Sequence, residues 1–192
     1  MAKKRHPGQL LFVGFEGLTP PEDLLTLIAA GRIGGVILFA RNIEGPAQVR
    51  AMTKTLLDHA PPDAPLLLAI DQEGGRVQRL RSPWTEWPDM RVLGDQNDIE
   101  LTGMMARALG RELVDCGIHL NFAPVVDVDT NPDNPIIGNR SFGSDPDRVA
   151  LHAQAFIQAL QETGVAACAK HFPGHGDTDT DRPETSPAES HP

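Results

Sequence analysis

Residues 35–71 read GVILFARNIEGPAQVRAMTKTLLDHAPPDAPLLLAID, and this stretch decides the fold. GVILFA (35–40) and LLLAID (66–71) are short continuous apolar runs, the pattern of strands buried on both faces. Between them, PAQVRAMTKTLLDHA (46–60) sets Val49, Met52, Leu56 and Leu57 on one side of a helix. Strand, helix and strand in that order form a βαβ unit, which joins neighbouring strands of a parallel sheet.

The same alternation extends in both directions. Upstream, LLFVGF (10–15) has the length of a buried strand. The helix after it is announced by Thr19 as N-cap, Pro20 and Pro21 in the first turn and Glu22 as the capping-box acid, and it closes on Gly31. Downstream, residues 76–95 are rich in Arg, Trp and Pro and read as a long irregular stretch. A helix over about 98–116 leads into HLNFAPVVDV (119–128), the fourth strand. A further loop, DTNPDNPIIGNRSFGSDPD (129–147), runs into a helix with Asp145 as N-cap, Pro146 in its first turn and Gly164 as its stop. GVAACAK (164–170) is the fifth strand. Repeated βα units with long loops after the strand ends favour an α/β fold of the (β/α)8 TIM-barrel type over a doubly wound sheet. A complete barrel takes roughly 250 residues, so about five βα units in this chain are expected to form a truncated one. Residues 1–181 are assigned to that partial barrel. The segment RPETSPAESHP (182–192) has a disorder-like, Pro-rich composition.

Bulk properties exclude several function classes. The 192 residues are 40% hydrophobic and 22% charged, a globular composition. Lys and Arg number 17 against 26 Asp and Glu, and the net charge of -9 repels a phosphate backbone, so no nucleic-acid partner is expected. No apolar run reaches membrane-spanning length. The basic opening MAKKRHPGQLLFVGF lacks the long apolar core and small-residue cleavage site of a signal peptide. Cys116 and Cys168 both lie in apolar segments, which suits buried, reduced thiols in the cytoplasm.

Two segments carry the chemistry. IDQEGGRVQRL (70–80) puts Asp71 and Glu73 at the end of the third strand, before two glycines that allow a sharp turn. Two acids so placed match the carboxylate pair of a retaining glycosidase, which sits roughly 5 Å apart. The structural alternative makes one acid a loop acceptor and pairs the other with Arg76 or Arg79. KHFPGHGDTDTD (170–181) follows the fifth strand and holds a lysine, two histidines and three aspartates. A metal site from His171, His175 and Asp177 is one reading. Pro173, Gly174 and Gly176 exclude the helix on which histidines four apart would share a face, and sugar hydroxyls are the more natural ligands of Lys170 and His171.

GVILFARN, AIDQEGGRVQRL, NFAPVVDV, IIGNRSFGSDP and AKHFPGHGDTDTD occur in this order, and as a set they resemble the family 3 glycoside hydrolases, in the β-N-acetylglucosaminidase branch. The resemblance runs from residue 10 to about 181. It implies that Asp71, Arg79, Arg140, Lys170 and His171 bind a terminal N-acetylglucosamine, and it implies neither metal nor organic cofactor. His175 then shapes its loop, Asp127 and Asp129 order neighbouring loops without a role carried over from the family, and Trp84 and Trp87 pack in preference to stacking on sugar.

The resemblance also implies an Asp-x-His motif, whose histidine is the acid/base and whose aspartate orients it, and a later aspartate nucleophile. Asp181 takes the orienting position, but the motif reads Asp181, Arg182, Pro183, and proline carries no proton. His191 is ten residues from Asp181, and the nucleophile is expected beyond residue 192. The expectations are therefore a sugar-binding chain without turnover, a frameshifted or otherwise shortened form of a longer enzyme, and self-association through exposed barrel edges. A non-catalytic sugar-binding role and a metal-dependent hydrolase are the alternatives.

Overall fold

The βα alternation becomes a sheet whose strands lie side by side in the order in which the chain makes them. In the computed structural model, which describes residues 6–178, the strands are β1 (Phe12–Val13), β2 (Gly35–Leu38), β3 (Leu67–Ile70), β4 (Leu120–Asn121) and β5 (Ala166–Ala167). They pair in parallel in the order β1-β2-β3-β4-β5. A doubly wound sheet reverses its order at a switch point, whereas unbroken succession is the winding of a barrel. The helices are α1 (Glu22–Ala29), α2 (Pro46–Asp58), α3 (Met90–Gln96), α4 (Ile99–Asp115) and α5 (Pro146–Gln161).

Strand period fixes what each face does. Val36, Leu38, Leu68 and Ile70 are wholly buried and join the helix side chains Leu56, Leu109, Leu113 and Phe156 in one core. Burying each such side chain contributes about 1.5–3 kcal/mol. Residues one step out of phase line the inner face of the arc, in the register rows Phe12–Gly35–Leu67 and Ile37–Ala69–Leu120–Ala166. This face is more open, with Phe12 and Leu67 exposed.

Several sequence expectations shift. The first helix starts after Pro21, which is extended (ψ 152°) and makes no side-chain cap bond, so Thr19 is not its N-cap. A residue preceding proline is steered away from helix, and the consecutive prolines move the start to Glu22. Glu22 and Asp23 then lie at the positive end of the helix dipole. Asp145 caps α5 as expected, accepting from the backbone N–H of Asp147 at 3.0 Å, and Asp98, not singled out from the sequence, caps α4 by accepting from Leu101 at 3.0 Å. The stretch 76–95 is not wholly irregular: α3 begins at Met90 and is pressed so close to the loop before α5 that a Cβ on Gly94 would lie 1.7 Å from the Phe142 carbonyl oxygen. The fourth strand is shorter than 119–128 because Pro124 has no N–H for the ladder, which resumes only as a bridge between Val125 and Lys170. Cys116 is buried as expected, but Cys168 is exposed.

Among the described residues no helix is long and apolar enough to cross a membrane.

Candidate functional site

The C-terminal ends of β3, β4 and β5 bring the chemistry together. Asp71 and Glu73 follow β3, and the chain then turns on Gly74 and Gly75, whose φ values of 108° and 55° suit residues without a Cβ. Gln72, between the two acids, locks this turn. Its side-chain oxygen accepts from the N–H groups of Arg79 (2.7 Å) and Leu80 (3.0 Å), and its amide donates to the Leu80 carbonyl at 3.0 Å. Its backbone is tied to β4 by Asn121, which accepts from Gln72 N–H at 3.0 Å and donates to the Gln72 carbonyl at 2.8 Å.

On this frame the charged side chains form a continuous chain. Arg79 Nη2 is 3.4 Å from Asp71 Oδ2, and Lys170 Nζ is 2.9 Å from Asp71 Oδ1 and 2.6 Å from Glu73 Oε1. Glu73 is buried and takes two parallel bonds of 2.8 Å from Arg140 Nε and Nη2. Arg140 Nη2 lies 3.5 Å from His171 Nε2, and His171 Nδ1 lies 2.7 Å from Asp127 Oδ2. The five residues expected to bind a ligand are thus brought into one cluster.

Glu73 and Asp127 join the cluster through partners that the sequence did not indicate. Glu73 pairs with Arg140 and Lys170, and not with Arg76 or Arg79. Arg79 takes Asp71, and Arg76 donates to the carbonyls of Pro135, Ile136 and Ile137, pinning the loop that carries Arg140. Nothing local marks a partner 67 residues away in sequence, as Arg140 is from Glu73. Asp127 accepts from the backbone N–H of His171 (3.2 Å) and of His175 (2.6 Å) as well as facing the His171 ring. Burial alone would raise the Asp127 carboxyl pKa. The His171 side-chain bond and the two backbone donors outweigh burial and hold it below the usual carboxylate range. For Arg140, burial would lower the guanidinium pKa, but the Glu73 bonds and charge, helped by Asp127 and Asp71, raise it instead.

The supporting groups have separate tasks. Asp129 pairs with Arg91 at 2.6 Å. Trp84 and Trp87 pack against the core, and Trp87 Nε1 donates to Glu112 at 3.2 Å. His175 is held at Nδ1 by Thr178 (2.5 Å), and its carbonyl accepts from Asn134 at 2.7 Å, so it shapes the loop. The His171 and His175 rings are 6.4 Å apart between centroids, each with Nδ1 turned to a protein partner. Among the described residues no three His, Cys, Asp or Glu side chains are placed to hold a metal ion. Asp181, Pro183, His191, the 182–192 segment and the basic opening Lys3, Lys4 and Arg5 lie outside the described residues.

Comparison with known proteins follows the same lines. The β-hexosaminidase of Bordetella avium is 40% identical over 99% of this chain and 57% of its own length. The family 3 β-N-acetylglucosaminidase of Paenibacillus sp. FPU-7 superposes with a TM-score of 0.85 at 44% identity, covering 91% of this chain and 34% of that one. NagZ of Neisseria gonorrhoeae, solved in complex with N-trifluoroacetyl-D-glucosamine, superposes at 0.83 with 37% identity, over 90% of this chain and 51% of that one. The chain spans about half the length of the curated relatives it matches. The model of the glycosyl hydrolase family 3 N-terminal domain matches residues 4–192, and with the barrel winding and the strand-end cluster in place, the chain belongs to glycosyl hydrolase family 3.

Proposed function

We propose that this chain forms the sugar-binding face of a β-N-acetylhexosaminidase and holds a terminal N-acetylglucosamine with Asp71, Arg79, Arg140, Lys170 and His171. The observation that carries this reading is the charge chain Arg79–Asp71–Lys170–Glu73–Arg140 at the ends of β3 and β5. It presents fixed donors and acceptors to hydroxyl groups, which need both. Similarity to NagZ, solved with a glucosamine derivative, supports the choice of sugar.

For the whole protein the proposal is hydrolysis of terminal β-linked N-acetylhexosaminides with retention, through a glycosyl-enzyme intermediate. Pro183 stands where the resemblance calls for a proton-carrying histidine, so this chain binds without turning over. Two unpaired cysteines fit a reducing compartment, and the proposal places the protein in the cytoplasm. Among the described residues β1 and β5 each pair with a single neighbour, and Leu10, Leu11 and Phe12 are exposed at and before β1, so self-association through these edges belongs to the same reading.

Calorimetry with millimolar N-acetylglucosamine tests binding, and the absence of heat removes the proposal. A chromogenic N-acetylglucosaminide tests turnover: release of chromophore at the rate of an intact relative contradicts the role given to Pro183. Light scattering reporting a monomer with a sharp thermal transition counts against self-association.

A further inference from the structure

His171 is held at both ring nitrogens, and the two neighbours specify the same proton arrangement. On one side lies Asp127, whose side chain is fully buried and which already accepts from two backbone N–H groups. An ionised carboxylate only accepts, so the Nδ1 facing Oδ2 at 2.7 Å carries a proton. On the other side, Nε2 faces the Arg140 guanidinium, which only donates, at 3.5 Å. A lone pair is the form of Nε2 that suits this neighbour. The formal charges around the ring cancel without a proton added there, since Arg79, Arg140 and Lys170 stand against Asp71, Glu73 and Asp127.

This arrangement sets what the cluster offers a ligand. Arg79, Arg140 and Lys170 have no acceptor atoms. Glu73 is 1% exposed and its oxygens are occupied. Of the five residues in the proposed pocket, only Asp71 and His171 accept, and the His171 side chain is the most open of the five pairing groups, at 37% exposed. At 3.5 Å the Arg140 contact is at the outer limit of a hydrogen bond, so an entering hydroxyl takes over the Nε2 lone pair and is read there as a donor.

We propose that Asp127 is a positioning residue that fixes His171 as a hydrogen-bond acceptor at Nε2, and that this acceptor selects one donating hydroxyl of the bound sugar. The inference rests on the sugar-binding reading above. Asp127 itself touches no ligand. It acts by fixing the proton on Nδ1 and by clamping residues 171–175 from below.

The first test needs neither sugar nor substitution. Nitrogen-15 spectra of the unaltered full chain are expected to show the His171 ring with Nδ1 protonated and Nε2 bare, and the opposite tautomer overturns the proposal. The second uses N-acetylglucosamine and its singly O-methylated analogues, which can accept at the methylated position but cannot donate. One analogue should bind about tenfold more weakly than the parent sugar, and that penalty should vanish in His171→Ala. In Asp127→Asn, one oxygen must serve three donors, and the His171 signals should move towards a mixture of tautomers. If N-acetylglucosamine gives no heat, the sugar-binding reading fails. If it binds and no methylation penalty depends on His171, that reading stands and this inference fails.

Discussion

Glu73→Gln is the substitution on which the charge chain makes its largest claim. The Glu73 carboxylate is 1% exposed and accepts from Arg140 twice at 2.8 Å and from Lys170 once at 2.6 Å. Glutamine keeps the volume and one acceptor oxygen. Its other terminus becomes an amide donor facing a guanidinium, and Arg140 loses its carboxylate partner. Breaking a buried pair by altering one member costs about 3–5 kcal/mol. The surviving acceptor, together with the bond from Arg140 to the Ile136 carbonyl at 3.0 Å, puts this change near the lower end, about 3 kcal/mol. For a domain of this size each kcal/mol moves the melting midpoint by about 2–4 °C, so a fall of roughly 6–12 °C is expected. Asp71→Asn serves as the comparison, because Asp71 is 17% exposed and solvent offsets part of the loss of Lys170 and Arg79. Its cost should be about 1–2 kcal/mol. Urea unfolding followed by circular dichroism, with unchanged slopes, gives both numbers. A Glu73→Gln chain within about 1 kcal/mol of the parent, or one more stable than Asp71→Asn, would refute the assignment of Glu73 as the buried centre of the cluster.

Three further outcomes are expected. His119 and His152 are both held below the ordinary imidazole value of 6.5 by burial; at His152 the Arg148 charge adds to this and Asp98 opposes it. The unfolded chain therefore binds more protons in the window below 6.5, and their contribution to stability, complete above that value, is lost as pH falls through the folded values. The urea midpoint should drop between about pH 7.5 and about pH 5.5, and drop less in His152→Gln; equal slopes in the two proteins contradict the assignment. A Cβ on Gly176 would lie 1.7 Å from the Val128 carbonyl oxygen, so Gly176→Ala must displace the 171–178 loop. N-acetylglucosamine affinity should fall about tenfold or more in this variant, and retained affinity would show that the loop does not set the pocket. Cys168 is exposed, whereas Cys116 is buried with its thiol pKa raised by burial against a Trp84 hydrogen bond that lowers it. A maleimide should label one thiol in the native chain and both in denaturant, and native labelling of both would contradict the packing around α4.

How much of this was legible in the sequence depended on range. Apolar periodicity identified five strands and four of the five helices, because each element writes its own pattern locally. It missed α3, whose seven residues hold few turns and whose packing depends on the distant Phe142. Strand ends were placed too far out at β1, β4 and β5, since apolar residues continue after the ladder stops and Pro124 alone marks the break. Motif strings named the five residues proposed to hold the sugar, and the fold brings them together. The pairing among them was not readable: Glu73 had two arginines close by in sequence and chose a third 67 residues on. Gln72 and Asn121 carried no sequence signal, because a buried amide cross-link between β3 and β4 exists only once the strands are adjacent.

Under the proposed function, the pairing explains how a cluster so rich in charge suits a neutral ligand. Three carboxylates and three cationic side chains cancel, and each ion already has a partner within hydrogen-bonding distance. A charged ligand entering such a site would leave one ion unmatched, which is costly in partly buried surroundings. An anion would meet in addition a chain of net charge -9. A sugar brings no charge, and its hydroxyls use the hydrogens and lone pairs that the ion pairs leave over. The ion pairs hold those atoms in fixed directions before the ligand arrives, so orientation is built into the fold and need not be supplied by binding energy. On this view the charges of Asp71, Glu73 and Lys170 serve geometry first, and recognition follows from where they are held.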